Sequence, residues 1–303
     1  MEAISLKEFL EISDEAVSKI VSSQGQQTCI FPFNGTRRWF LFEHADSNVE
    51  MSMDSYNDLT GKRYIEMFKM LFDHGIDAVV APIFGSDILD RGDEYMDGIG
   101  AAMSRLADHM DFKTFYEEYD VRVHFYGEYR KKFTGRYAYL ADRFDQITQQ
   151  TSHNKKKSLF YGVFGSDASE SVAEFSIDFY QKNSRPPNRR EIVESYYGEY
   201  LERATIFIGF EKFSVFDYPL LGLGSESVYH TVAPSLYMTK RQLREILFDH
   251  IFLRPMDEPE YMSMPRENFA AMKKLYDENR EVTFGVGMIR DGIWYEKHTG
   301  RRG

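Results

Sequence analysis

Short apolar runs recur along the chain, each followed by a longer stretch of helical periodicity, and this alternation restricts the fold more than any other feature. The runs are TCIFPF (28–33), DAVVAPIF (77–84), VRVHFYG (121–127), KSLFYGVF (157–164) and TIFIGF (205–210), with SVYHTVA (227–233) as a sixth. They are rich in β-branched and aromatic residues and too short for buried helices, so they predict strands. Between and after them lie helical patterns over 59–75, 89–110, 136–151, 166–183, 186–204 and 239–251. Gly75 supplies a stop for the first of these, and Pro186 and Pro187 a start for the fifth. Strand and helix alternating in this way predict an α/β protein with a mostly parallel central sheet flanked by helices. Two further runs, 282–287 and 292–296, end the pattern. With no internal repeat and no low-complexity linker, residues 1–303 read as a single domain, with an amphipathic N-terminal helix over about 5–23 and a tail over about 297–303.

Charge and composition remove several classes of function. A net charge of -11 lacks the basic footprint of a nucleic-acid binder and disfavours docking on anionic membranes. No stretch approaches the roughly 18 consecutive apolar residues of a membrane span, so stable membrane insertion is not expected. The first 25 residues lack the basic start and apolar centre of a signal peptide. The one cysteine, Cys29, sits in an apolar run, so there is no disulfide framework. Together these predict a cytoplasmic protein. The 25 Phe and 20 Tyr are more than an ordinary core requires, and the excess suits a pocket for an apolar ligand or a cation, since ring faces attract positive charge.

In open parallel sheets the ligand lies at the carboxyl ends of the strands. NGTRR, GSDILDRG and GSDASES fall at such ends. Arg37 and Arg38 follow a glycine turn, where guanidinium forks and the N–H groups of a helix start suit a phosphate; they equally suit surface ion pairs. Asp87 and Asp90 share one face if their segment is helical, which fits a Mg²⁺–diphosphate or simply acidic residues at a helix N-terminus. Zinc spacing, a P-loop, a G-x-S-x-G elbow and a dinucleotide fingerprint are all missing.

Taken in order, these loops resemble the cis-prenyltransferase (undecaprenyl diphosphate synthase-like) family. Its D-G-N-R-R-W corresponds here to Asn34 through Trp39, and FGSDILDRG occupies the place of its Ser-x-Glu-Asn-Trp-x-Arg stretch. VRVHFYGEY, YGVFGSDASESVAEF and VYHTVAPSLY keep the family order over most of the chain. The resemblance implies a diphosphate site made of Gly35, Thr36, Arg37, Arg38 and Arg91, Mg²⁺ held through Asp87 and Asp90 in a run that begins at Ser86, and a homodimer. The departures carry further implications. Gly209, Val215 and Asp217 replace the Arg, Arg and Ser that bind the second diphosphate, and Ile88 and Leu89 replace the Asn and Trp of the elongation machinery. Such a chain would hold one allylic diphosphate and not extend it.

Five long strings, FPFxGTRRWF, KMLFxHGI, ILDRGD, RREIxExYYGEY and FGVGxxxDGIW, narrow the resemblance to diterpenyl transferases within that superfamily. They imply a terpenyl transferase or terpene synthase that ionises a bicyclic C20 allylic diterpenyl diphosphate, with adenosine N1 or water as acceptor. Asn34, Tyr56 and Tyr95 would be the catalytic residues, the rings stabilising the carbocation. Asn34 stands where the family carries an acid; the amide keeps the shape and loses the charge and basicity. It is read as a natural variant, as an engineered replacement, or as the mark of a weak catalyst that mainly binds diphosphate. The terminal RRG matches a short R-x-G tail of the family and also reads as a solvated basic end.

Overall fold

The computed structural model describes residues 4–47, 49–85, 92–165, 167–254 and 260–297, and of 93–95 the backbone only. All six predicted strands form: β1 (Thr28–Ile30), β2 (Ala78–Phe84), β3 (Val121–Tyr126), β4 (Lys157–Val163), β5 (Ile206–Phe210) and β6 (Ser227–Thr231). They make one sheet in the order β3-β4-β2-β1-β5-β6, every neighbouring pair parallel. β1 stops three residues short of the predicted run because Pro32 has no N–H to give to a ladder. The whole run 28–33 is nonetheless buried, as the apolar pattern requires.

Strand side chains alternate between two cores. Cys29, Phe31, Val79, Ala81, Val123 and Leu159 lie on one face, and Ile30, Ala78, Val80, Phe160 and Phe207 on the other. This is the period-two division of strands buried on both sides. Much of the aromatic excess is spent here: Phe125 stacks on Phe144 at 3.8 Å, and Phe68, Phe72 and Phe115 pack as near-parallel rings. Burial pushes the Cys29 thiol well up, so it is an inert apolar side chain.

Helices cover both faces. The predicted N-terminal helix is two, α1 (Leu6–Glu11) and α2 (Asp14–Ser22), because Ser13 takes an extended backbone and its hydroxyl accepts from the Ala16 N–H. Asp14 binds Arg244 and Lys240, which ties these helices to α11 (Lys240–Phe248). The chain between β1 and β2 holds α3 (Thr36–His44) and α4 (Met53–Asp73); α5 (Asp93–Asp108) and α6 (Met110–Glu118) follow β2. α7 (Tyr129–Lys132), α8 (Tyr139–Gln150), α9 (Ser169–Asn183) and α10 (Arg189–Tyr197) complete the set before β5. α10 is half its predicted length: Gly198 adopts φ +85° as a left-handed cap. α3, α6, α7 and α12 (Arg266–Asn279) have no counterpart among the predicted helices. The predicted run 292–296 forms β8 (Ile293–Glu296), but of 282–287 only Gly287 is in a strand: β8 pairs antiparallel with β7 (Gly287–Arg290), and Asp291 and Gly292, both at positive φ, turn the hairpin and so set its first strand later in the chain.

β1 has β2 on one side and β5 on the other, so the connections diverge at its carboxyl end. Such a switch point opens a crevice outside the strand ends. The tail from 298 onward lies outside the described residues.

Candidate active site

The crevice is built on the loop after β1. Ser235 clamps that loop: its hydroxyl donates to the Pro32 carbonyl and accepts from the Asn34 N–H, both at 3.1 Å, and its N–H donates to the Asn34 carbonyl at 3.1 Å. Gly35 then turns the chain into α3 at φ +73°. No other residue fits there, since a Cβ would lie 2.8 Å from the Phe210 ring and 3.0 Å from Pro234. As N-cap, Gly35 offers no side-chain acceptor, which leaves the first N–H groups of α3 for a ligand.

These residues open on to a cleft of about 570 Å³ lined by Asn34, Gly35, Thr36, Arg37 and Arg38 together with the end of β2, Tyr56 and Tyr64 of α4 and Ile99 of α5. Arg37 is exposed and Arg38 half-buried. Arg38 is already engaged: its two terminal nitrogens donate to the two Glu211 oxygens at 3.1 and 3.0 Å, and it lies 4.7 Å over the Phe210 ring. The Tyr56 hydroxyl is 2.7 Å from the Thr36 hydroxyl, and its ring stands edge-on to Phe40. Tyr64 stacks on Phe33 at 4.0 Å, and burial raises its pKa, so it is a neutral phenol. One rim of the cleft is thus cationic and rich in N–H donors, and the opposite wall is aromatic.

Behind that wall lies a cavity of about 50 Å³ that shares Tyr56, Tyr64, Phe84 and Ile99 with the cleft. Asn57 and Arg105 also line it; among the described residues the Asn57 side-chain amide oxygen and the Arg105 Nε have no hydrogen-bond partner.

The structure therefore brings together Asn34, Gly35, Thr36, Arg37, Arg38 and Tyr56. Arg91, Asp87 and Asp90 lie outside the described residues, and so does the Tyr95 side chain, although its backbone is in the first turn of α5. Among the described residues no group of three or more His, Cys, Asp or Glu gathers in a way that could hold a metal. Asp217, which stands in place of the family's Ser, also lines the cleft, while Tyr64, Glu211 and Ser235 are site residues that the sequence reading does not single out. Glu211 had a signal, since it directly follows β5 at the carboxyl edge; Ser235 had none, because its partners are 201 and 203 residues away in sequence.

A parallel sheet with an arginine-bearing helix start and an aromatic cleft at its switch point is the cis-prenyltransferase fold. The lavandulyl diphosphate synthase of Lavandula x intermedia, solved with dimethylallyl diphosphate, superposes with a TM-score of 0.61 at 12% identity, over 77% of this chain and 97% of that one. A probable undecaprenyl diphosphate synthase of Campylobacter jejuni gives 0.55 at 11% identity, with coverage of 77% and 97%. At these identities the likeness is one of fold. The chain belongs to the family of the tuberculosinyl adenosine transferase of Mycobacterium tuberculosis, with 45% identity over 298 residues, 97% of this chain and 99% of the relative. The (+)-kolavelool synthase of Herpetosiphon aurantiacus is 23% identical over 298 residues, 97% of this chain and 96% of its own length. No protein-family model matches. Both relatives bear the names of enzymes, a transferase and a synthase, in agreement with the reading from sequence. No helix among the described residues is long and apolar enough to cross a membrane.

Proposed function

We propose that the protein ionises an allylic, tuberculosinyl-type diterpenyl diphosphate and passes the cation to adenosine or water, releasing diphosphate. The observation that carries this is the pairing of Arg37, Arg38 and the free helix start of α3 with the aromatic wall of Phe33, Tyr56 and Tyr64 in one cleft. The 45% identity to a tuberculosinyl adenosine transferase supports the substrate class. As the C–O bond breaks, negative charge gathers on the leaving diphosphate, where preorganised guanidinium and N–H groups stabilise it without reorganising. The allylic cation left behind is stabilised by ring faces. Adenine N1 attacks with a lone pair and loses no proton; water must give one up. Asn34 is no base and Tyr64 is held neutral, so nitrogen capture is favoured at this site.

The described residues do not by themselves make a Mg²⁺ site, and the steps above use none. A Mg²⁺ role would fall to Asp87 and Asp90 with the diphosphate oxygens. A homodimer is supported by the apolar side chains that α12 and the segment after it expose, among them Phe269, Leu275, Tyr276 and Phe284.

Incubation with tuberculosinyl diphosphate, with and without adenosine, tests the function through diphosphate release and product mass. Terpenyl-adenosine is expected with adenosine, and slower release of terpenyl alcohol without it. Release under neither condition would favour a binding subunit, the reading that Asn34 in place of an acid suggests.

A further inference from the structure

Beside the cleft lies a groove of about 280 Å³, and Arg38 lines both. The carboxyl ends of β5 and β6 form one side of the groove and the β7–β8 hairpin the other. Its walls are aromatic, chiefly Phe210, Phe213 and His230 on one side and Trp294 on the other. Three glycines make the room. A Cβ on Gly209 would meet His230 at 2.7 Å, one on Gly285 would meet Phe213 at 3.2 Å, and one on Gly287 would overlap the Trp294 indole. Phe213 and His230 pack together at 4.9 Å, and Phe213 remains half-exposed. The His230 Nε2 is bonded to the Ser214 backbone, while its Nδ1 is buried without a partner among the described residues.

The charge of the described lining disfavours a second diphosphate. Among the described residues Arg38 is the one cation lining it, and both Glu211 oxygens already hold that guanidinium. Glu296 adds a second carboxylate. A planar, uncharged ligand that becomes cationic fits these walls. We propose that the groove is the acceptor subsite and that it takes a purine nucleoside, the base lying against Trp294, Phe213 and His230. The inference rests on the terpenyl-transfer reading above and assigns a place to its second substrate. In the step, the terpenyl C–O bond breaks and its electron pair leaves with diphosphate. The purine nitrogen lone pair forms the C–N bond, no proton moves, and the base takes the positive charge. Ring faces complement that charge. The shared Arg38 sets the two substrates side by side, diphosphate in the cleft and base in the groove. The volume sits at the lower edge of small-molecule sites, about 300 Å³.

The protein has two tryptophans, and Trp39 is buried in the core, so a nucleoside in the groove should quench Trp294 emission. Adenosine titrations with inorganic pyrophosphate present, and steady-state kinetics, would be run on the wild type, Trp294→Leu and Phe213→Ala. Saturable quenching is expected in the wild type and not in Trp294→Leu. The KM for adenosine should rise about ten- to a hundredfold in each variant, as loss of one base-stacking ring implies, with the KM for the diterpenyl diphosphate unchanged. No quenching in the wild type, or adenosine KM values within twofold of wild type in both variants, would overturn the subsite. If the wild type releases no diphosphate at all, the transfer reading fails, and the quenching titration still decides whether the groove binds the nucleoside.

Discussion

Arg37 and Arg38 look equivalent in sequence, and the structure makes them unequal. Replacing Arg37 by Ala removes one charge-assisted contact to the diphosphate, worth about 1.5–3 kcal/mol, so pyrophosphate affinity should fall roughly ten- to a hundredfold. Arg38→Ala removes a similar contact and also uncovers Glu211, whose side chain is only 21% exposed. Taking a separation of about 8 Å between carboxylate and anion and an effective dielectric of about 20, the repulsion is roughly 2 kcal/mol; partial solvent screening brings this nearer to about 1 kcal/mol. Arg38→Ala should therefore bind pyrophosphate about fivefold more weakly than Arg37→Ala. Adding Glu211→Gln to Arg38→Ala should recover that fivefold, because the amide keeps the shape without the charge. Isothermal titration calorimetry at low salt would measure all four proteins. If Arg38→Ala is no weaker than Arg37→Ala, and the double variant no tighter than Arg38→Ala, Glu211 does not reach the anion and its pairing with Arg38 is purely structural.

Asn34→Asp should raise single-turnover rates with Mg²⁺ and not with chelator, since an added carboxylate repels diphosphate unless a cation bridges them; equal rates with Mg²⁺ would show that the amide suffices. Gly35→Ala should destabilise by about 2–4 kcal/mol, the sum of a left-handed backbone and the overlap with Phe210 and Pro234, and a loss under 1 kcal/mol by urea denaturation would refute this. His74 donates from Nδ1 to the Met70 carbonyl and accepts at Nε2 from Arg244, and burial lowers its pKa below 6.5 despite Asp14 nearby. The unfolded chain then binds a proton below pH 6.5 that the folded chain does not, so stability should fall as the pH drops from 7 towards 5.5, and His74→Gln should shallow that slope; an unchanged slope would place the effect elsewhere. Farnesyl diphosphate and isopentenyl diphosphate should give no elongated product, because His230 fills the space a side chain on Gly209 would need; radiolabelled C20 or longer chains would contradict this.

The alternation of apolar runs and helical periods placed six strands in one parallel sheet, because burial on both faces leaves an unmistakable apolar run. The misses were local. The N-terminal helix broke where a serine hydroxyl captured an N–H, and α10 ended where a glycine took the left-handed region. α3 escaped notice because its first turn, Thr36-Arg37-Arg38, reads as a loop until Gly35 is known to cap it.

Sequence by itself determined the family, the layered fold and the Asn34–Arg38 loop at the end of the central strand, all of which are written in local patterns of residue type. Only the tertiary structure decided that Arg38 is shared between Glu211 and two adjoining pockets, that Ser235 sets the loop carrying Asn34, and that three glycines open an aromatic groove against the C-terminal hairpin. These contacts join residues tens to hundreds of positions apart, and no local periodicity encodes which strand ends will meet once the sheet has closed on its core.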